Sequence, residues 1–316
     1  MATSAHQIDT MVCLVGEQPI PNLLPILHVR PRRTILAHTH LTQQIAINLH
    51  ETLLWRGISG VEYLLVEPYD IAETTQKLID GIGEAGSICF NITGGTKPMM
   101  LAAAEVAGRR ATEICYLQSE RSHSDLYWYR SNGGVVVAQG KETLPILICI
   151  ETYVRAFGFQ DFTKNILVPS IDIPTGIDVH KQYEWNVALF LASQAEIDEA
   201  WHSLSVQNAT SMGQKQVEID VVIRVGNHIG FIEAKFGENG LKKAIDQLNT
   251  ASRPEFFGRY VFRFFVRRSE KLEDGLRALA DVQQINCLHL RADAQGSLDA
   301  PDCQQLLVNI TSRMRP

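Results

Sequence analysis

Strands and helices alternate along the first half of the sequence, and this order restricts the chain to a few folds. Four apolar segments have the length and composition of buried strands, MVCLVGE, GVEYLLVEP, SICFNITGG and ATEICYLQ. Segments with helical spacing lie between them, such as the one that begins after Thr42 and ends at Gly57. Parallel strands need long crossover connections, usually helices. The pattern therefore predicts a parallel, doubly wound sheet, followed by a hairpin in LYWYRSNGGVVVAQG.

The segment NITGGTKPMM joins the third of these strands to a helix and carries the chemistry of an anion site. Gly94 and Gly95 let backbone amides approach a ligand, and the start of a helix attracts negative charge. Lys97 adds a positive charge, and Thr93 and Thr96 add hydroxyl groups. Neither GxGxxG nor GxxxxGK[ST] is present, which argues against a dinucleotide oxidoreductase or a Walker-type site. An ordinary tight turn between strand and helix is the alternative.

A second segment with chemically reactive residue types, residues 217–247, has the pattern of a strand, a turn, a strand and a helix. Glu233 and Lys235 are two positions apart on the second strand, so they share a face, and Asp220 joins them if the strand register suits. Such charges between buried aliphatic residues are costly unless something binds there. A divalent cation held by Asp220, Glu233 and the carbonyl of Ala234 would offset that cost, with Lys235 beside a reacting phosphate. An amphipathic hairpin with solvated charges is the alternative.

Composition limits the functional classes. The chain has 316 residues, enough for two domains, and a net charge of −6, which argues against a protein that coats nucleic acid electrostatically. Local basic clusters remain possible phosphate contacts, Arg30–Arg33, Arg109–Arg110 and Arg267–Arg268. The six cysteines are scattered without zinc spacing, which predicts reduced core thiols in a cytoplasmic protein. The absence of a signal peptide and of a membrane-spanning apolar run leads to the same expectation.

The first half of the chain resembles a CARF domain through NITGGTKPMMLAAAEVA and the preceding loop GEQPIPNLLP. The resemblance implies a Rossmann-like sensor of cyclic oligoadenylate from type III CRISPR defence, spanning residues 1–165. It also implies a homodimer with cyclic tetra-adenylate bound across its two-fold axis as an allosteric activator. The residues that it places around the ligand are Gln18, Asn22, Thr93, Gly94, Gly95, Thr96 and Lys97.

In the second half, ID followed by EAK resembles the PD-(D/E)XK core of restriction-type nucleases, which implies an α/β nuclease domain over residues 166–316. In this family the acids corresponding to Asp220 and Glu233 bind Mg²⁺ or Mn²⁺, and the lysine corresponding to Lys235 acts on the phosphate. The resemblance also implies that Glu184, on the first helix, faces the metal and that Gln247 contacts substrate or water. For each of these two, a solvated helix surface is the alternative. The proline-containing segment 161–183 is expected to be a linker.

Together the two resemblances predict a metal-dependent endonuclease that cyclic oligoadenylate activates and that cleaves DNA or RNA phosphodiester bonds. Two alternatives stay open at this point. The chain could be a sensor that regulates a partner or transcription, although no helix-turn-helix is visible after residue 165. The CARF pocket could also cleave the cyclic ligand itself, as a ring nuclease.

Overall fold

The computed structural model describes residues 6–84, 86–119, 123–167, 171–210, 213–237, 241–253, 256–268 and 274–314, with backbone alone for 208–210 and 213–215. The chain divides into two compact units, Met1–Gly158 and Phe159–Pro316. Each unit is a mixed α/β structure built on its own sheet. Within the described residues, no helix is both long enough and apolar enough to cross a membrane.

The first unit contains seven strands and five helices among its described residues. In chain order these are β1 (Thr10–Leu14), α1 (Ile20–Val29), β2 (Arg33–His38), α2 (Gln43–Trp55), β3 (Val61–Leu65), α3 (Ile71–Ile82), β4 (Ile88–Asn91), α4 (Lys97–Arg110), β5 (Glu113–Ser119), β6 (Ser124–Asn132), β7 (Val135–Thr143) and α5 (Ile150–Ala156). The strand order is β3-β2-β1-β4-β5-β6-β7. The first five strands in this order are parallel, and β6 and β7 form the antiparallel hairpin. The predicted doubly wound core and its terminal hairpin are confirmed.

The apolar character of β1 explains its central position. All five of its residues are buried, because β2 and β4 flank it and helices cover both sheet faces. On one face Val12, Leu14 and Phe90 pack with the small and branched residues of α4, including Ala102 and Val106. The core therefore fixes the carboxyl ends of β1 and β4 next to each other.

Three elements of the first unit differ from the sequence prediction, and one of them, the buried strand β2, was not predicted at all. We expected a loop over residues 16–25, but α1 already begins at Ile20 and buries Asn22 to His28. Pro21 is tolerated because it occupies the first turn, where the backbone N–H has no helical partner. The helix expected over 142–159 is also shorter, since β7 continues to Thr143 and α5 begins only at Ile150.

The second unit contains six strands and four helices among its described residues. These are β8 (Phe162–Ile166), α6 (Val179–Ala192), β9 (Glu199–Thr210), β10 (Gly213–Val225), β11 (His228–Lys235), α7 (Leu241–Ala251), β12 (Phe262–Arg267), α8 (Asp274–Val282), β13 (Asn286–His289) and α9 (Ala300–Met314). The strand order is β13-β12-β11-β10-β9-β8, with β11 to β13 parallel and β8 to β11 antiparallel. Buried apolar side chains of α6 and α9 pack on the sheet face that carries Val221, Ile223 and Ile232.

The expected linker contains a strand and the start of a helix, and the division between the units falls before it. Strand β8 lies in this segment and pairs with β9, and α6 begins at Val179, with Asp178 accepting from the amides of His180 and Lys181. The expected boundary at residue 165 would cut through β8. An edge strand is only half buried, so β8 lacks the apolar run by which inner strands are recognised.

The position of β8 generates a test of the boundary. We expect a fragment of residues 159–316 to unfold at higher urea concentration than a fragment of residues 166–316. The shorter fragment loses the pairing of β8 with β9 and the stacking of Phe162 on Trp201, whose ring centroids lie 5.8 Å apart. Urea denaturation followed by circular dichroism measures the difference. Equal midpoints for the two fragments would show that β8 is not part of the second unit.

Candidate functional site

The loops that follow β1 and β4 meet at a topological switch point. The chain leaves β1 toward β2 on one side of the sheet, and it leaves β4 toward β5 on the other. In open α/β sheets, ligands bind in the crevice outside the carboxyl ends of strands at such a point. The sequence-predicted loop at residues 92–96 therefore lies at the expected place, beside the loop that follows β1.

The two loops contact each other through their backbones, which explains their glycines. A Cβ on Gly94 would lie 2.2 Å from the carbonyl oxygen of Leu14, and a Cβ on Gly16 would lie 3.0 Å from the amide nitrogen of Gly95. Gly95 also has a φ of +74°, in the left-handed region that favours glycine. Any side chain at Gly94 would force the loops apart.

Asn22 and Asn91 brace these loops from beneath. The Asn22 side chain donates to the Leu14 carbonyl at 2.9 Å, and Asn91 Nδ2 donates to Asn22 Oδ1 at 2.9 Å and to the Pro21 carbonyl at 3.0 Å. Both asparagines are fully buried. We expected Asn22 to line a ligand surface, but its side chain has no exposed surface and its hydrogen bonds position the loop. No role was predicted for Asn91 from the sequence.

The remaining predicted residues of this site fall into two groups. Thr93 and Thr96 are tied into the loop: Thr93 Oγ1 donates to Asn91 Oδ1 at 2.6 Å, and Thr96 Oγ1 donates to the Pro68 carbonyl at 2.5 Å while it caps α4. Lys97 is the first residue of α4 and is exposed. Gln18 has a buried Oε1 that accepts no hydrogen bond from the described residues. Among the predicted residues of this site, Lys97 and Gln18 are therefore the ones with side-chain polar atoms available to contact a ligand.

In the second unit the register of the hairpin brings the predicted acids and lysine together. Val221 pairs with Ile232, so Asp220 lies opposite Glu233 on one sheet face. Asp220 Oδ2 accepts from the backbone amide of Ala234 at 2.9 Å and from Lys235 Nζ at 3.0 Å. We name Glu184, Asp220, Glu233 and Lys235 the acid–lysine cluster.

Glu184 reaches this cluster from α6. Its Oε1 lies 3.8 Å from Lys235 Nζ, and its Oε2 accepts from Lys181 Nζ at 2.7 Å. Lys235 Nζ also lies 3.5 Å from Glu233 Oε2, so a single ammonium group contacts three carboxylates. The structure therefore brings Glu184 together with the residues of the hairpin, and its role beside a metal stays a prediction. Lys181 was missed, although its spacing of three residues from Glu184 puts both on one helix face.

Burial dominates the electrostatics of the cluster. It raises the pKa of Glu233 well above the usual value, and the neighbouring charge of Asp220 raises it further. The pKa of Glu184 is raised by the same two causes, partly offset by Lys181 and Lys235. Burial alone would lower the pKa of Lys235, but the charges of Asp220 and Glu233 outweigh it, and the net shift is upward. Glu233 and Glu184 therefore hold a proton more readily than free carboxyl groups do, and a cation placed beside them would favour their ionised forms.

The donor atoms of the cluster suit a hard divalent cation in kind. Carboxylate and carbonyl oxygens are the ligands that Mg²⁺ prefers, and both Glu233 oxygens are buried without a hydrogen bond from the described residues. In the described part of the chain, however, no three acidic, histidine or cysteine side chains converge as a metal site requires. The Lys235 ammonium bridges the acids instead. The metal set Asp220, Glu233 and Ala234 stays a prediction, compatible with these atoms.

Two peripheral residues and one histidine complete the surroundings. Glu218 is exposed and accepts from Ser203 Oγ at 2.9 Å, and Gln247 is half-buried on α7. His202, which the sequence reading did not single out, is buried and stacks on Trp185 with centroids 4.0 Å apart. Burial and the nearby Lys181 lower its pKa to about 4, so the ring is neutral at pH 7.

Comparison with known proteins supports a CARF domain in the first unit. Residues 10–137 match the family model of the Card1 CARF domain. No curated protein matches the chain in sequence.

Solved structures share the fold along the whole chain. Can2 from Sulfobacillus thermosulfidooxidans, solved in complex with cyclic tetra-adenylate, has 16% identity and a TM-score of 0.72, over 98% of this chain and 100% of its own. Protein VC1899 from Vibrio cholerae has 14% identity and a TM-score of 0.74, over 96% and 98%. A type III CRISPR defence DNA nuclease activated by cyclic oligoadenylate has 15% identity and a TM-score of 0.66, over 100% of this chain and 54% of its own.

The contact between the two loops predicts the effect of a single methyl group. We expect Gly94→Ala to lower the free energy of unfolding of the first unit by about 2 kcal/mol, because its Cβ overlaps the Leu14 carbonyl. Thermal melting and urea denaturation measure the loss. The control is Gly275→Ala in α8, where a Cβ meets nothing within 4 Å, and it should leave stability unchanged or slightly raised. A Gly94→Ala protein as stable as the wild type would refute the close approach.

Proposed function

We propose that the protein is a metal-dependent endonuclease activated by cyclic oligoadenylate in type III CRISPR defence. The observation that carries the proposal is the acid–lysine cluster, in which Lys235 Nζ lies 3.0 to 3.8 Å from three carboxylates. This arrangement lies at the end of an antiparallel hairpin, on a chain whose residues 10–137 match a CARF domain. The second unit is, in this proposal, a PD-(D/E)XK nuclease domain.

The first unit is the sensor in this proposal, and cyclic tetra-adenylate is its ligand. The loops after β1 and β4 offer backbone amides, the start of α4 and the exposed Lys97 at a switch point, which suits a phosphodiester anion. The fold shared with Can2, which was solved with cyclic tetra-adenylate, supports the choice of ligand. A symmetric ring of four phosphates suits two copies of the loop, so we propose a homodimer.

In this proposal, the residues of the acid–lysine cluster have separate roles in phosphodiester hydrolysis. Asp220, Glu233 and the Ala234 carbonyl would hold Mg²⁺ or Mn²⁺, which lowers the pKa of a bound water and neutralises phosphate charge. Lys235 donates to a phosphate oxygen and stabilises the negative charge that develops on it. Glu184 Oε1 and Asp220 Oδ2 hold the Lys235 ammonium in position, and Lys181 in turn holds Glu184.

Activation requires that the ligand distinguish two states of the protein. Cyclic oligoadenylate shifts the population toward an active nuclease only if it binds that state more tightly. The loops braced by Asn22 and Asn91 are the place at which such a difference in affinity would arise. DNA and RNA both remain substrates in this proposal, because the cluster contacts only the phosphodiester.

Cleavage assays on cluster variants test the nuclease assignment. We expect Asp220→Ala and Lys235→Ala each to reduce cleavage at least about 100-fold, because each removes charge stabilisation at the phosphate. The assay offers supercoiled plasmid, single-stranded DNA and RNA, with Mn²⁺ and with or without cyclic tetra-adenylate. Lys77→Ala, which removes a lysine from α3 in the first unit, is the control and should cleave like the wild type. Cleavage undiminished in either cluster variant would refute the active-site assignment.

Ligand binding tests the sensor assignment separately from catalysis. We expect Lys97→Ala to weaken binding of cyclic tetra-adenylate about tenfold or more without a change in melting temperature, because the residue is exposed and its charge is not replaced. Asn22→Ala should lower both affinity and melting temperature, because it leaves the Leu14 carbonyl and Asn91 unsatisfied in the interior. Isothermal titration calorimetry measures affinity. Unchanged affinity in Lys97→Ala would place the ligand elsewhere.

A further inference from the structure

An open groove of about 680 Å³, lined by polar and charged residues together with their aliphatic parts, lies between β10 and α7. Gln216 and Glu218 line it from β10, and Lys243, Gln247 and Thr250 line it from α7. The three α7 residues are spaced by one helical turn each, so they present one face toward the strand. A volume of several hundred Å³ is typical of sites for small molecules of nucleotide size.

The groove and the acid–lysine cluster use neighbouring positions on one face of β10. Gln216, Glu218 and Asp220 alternate along β10, so their side chains project from the same sheet face. The charge of Glu218 also acts on Lys181, whose ammonium donates to Glu184 in the cluster. A nucleotide strand with one phosphate at Lys235 would therefore place a neighbouring nucleotide along this groove.

The charge of the groove suits a base better than a phosphate. Lys242 and Lys243 add two positive charges, and Glu218 and Asp246 add two negative charges, so the lining is neutral. A backbone-binding channel requires excess positive charge. Amide, hydroxyl, ammonium and carboxylate groups together supply the donors and acceptors that read a base edge.

Hydrogen bonds hold several of these side chains in place before any ligand binds. Gln216 Nε2 donates to Ser205 Oγ at 2.8 Å, and Ser203 Oγ donates to Glu218 Oε1 at 2.9 Å. Thr250 Oγ1 donates to the Asp246 carbonyl at 2.8 Å and keeps its lone pairs as acceptors. Fixed polar groups of this kind give a subsite selectivity.

The backbone of β9 is irregular at Ser203, beside the groove. The side chain of this residue contacts Glu218. Ser203 has a φ of 58°, which is rare for a residue with a side chain, and the register between β8 and β9 shifts here. Such bulges re-aim side chains and occur next to functional sites. The strain therefore supports a role for this face beyond packing.

We propose that the groove is a base-binding subsite for the nucleotide that flanks the scissile phosphate, with Gln216 and Lys243 determining which base is preferred. The inference rests on the proposed nuclease function and adds a specificity site to it. A base reaches the groove only when it is unstacked from its neighbours. The subsite therefore selects by hydrogen bonding to the base edge, while the acid–lysine cluster acts on the phosphate.

Mapping of cut sites tests the subsite. The wild-type protein, with Mn²⁺ and cyclic tetra-adenylate, is given a library of randomised single-stranded oligonucleotides, and the cut ends are sequenced. We expect one position next to the cut to show a base preference of at least about threefold, since one hydrogen bond to a base is worth about 1 kcal/mol. Gln216→Ala and Lys243→Ala should reduce that preference to near uniformity, because cleavage of the preferred sequences falls while cleavage of the other sequences changes less. Gln76→Ala, at an exposed position of α3, is the control and should keep the wild-type preference.

The outcomes separate failure of the subsite from failure of the nuclease assignment. A uniform wild-type profile, or the same preference in wild type and both groove variants, would overturn the subsite while leaving the nuclease standing. If the wild type cleaves nothing, the nuclease assignment fails, and binding of fluorescent hexamers of dA, dC, dG and dT to Asp220→Asn protein decides the subsite. Unequal hexamer affinities that Gln216→Ala makes equal support the groove, and equal affinities in both proteins refute it. Melting curves establish that each variant is folded.

Discussion

The contact of one partly buried ammonium with three buried carboxylates links the elements of the second unit. Without Lys235, the charges of Glu184, Asp220 and Glu233 would repel each other in a setting where each is at most 6% exposed. The contact also joins separate elements, because Glu184 comes from α6, Asp220 from β10 and Lys235 from β11. The register of the hairpin and the position of α6 over the sheet are therefore coupled to the chemistry of the site.

The first unit builds its site by the opposite means. Among the described residues at the carboxyl ends of β1 and β4 there is no buried charge cluster. Glycines bring backbone against backbone, and two buried amides tie the loops together. Neutral amides pointing into a crevice favour an anion without the desolvation cost of a buried charge. In the proposed function, the first unit binds a large anion through neutral backbone groups, and the second unit acts on a phosphodiester through charged side chains.

Local pattern was enough for most of the inner strands, although the buried strand β2 was missed. The apolar runs of β1, β4 and β5 correctly indicated a doubly wound sheet, and the pattern of β10 and β11 indicated a hairpin but left open the register that places Asp220 opposite Glu233. Elements whose burial depends on residues far away in the sequence were not predicted. Strand β8 is half exposed and gains its place from Trp201, and α1 begins with prolines and a buried asparagine whose partner, Asn91, is 69 residues away. The role of Asn22 could not be inferred, because an asparagine in a loop motif looks the same whether it contacts ligand or backbone.

The same cluster gives the strongest physical reason to regard the second unit as functional. Both oxygens of Glu233 are buried without a hydrogen bond from the described residues, and burial raises the pKa of the acid well above its usual value. A well-packed apolar side chain of similar volume would cost less there, since buried ion clusters seldom add net stability. Sequences that break the rules of packing do so mainly at functional sites. Added positive charge would relieve the unfavourable electrostatics of Glu233, and in the proposed function a divalent cation beside the phosphodiester would supply it.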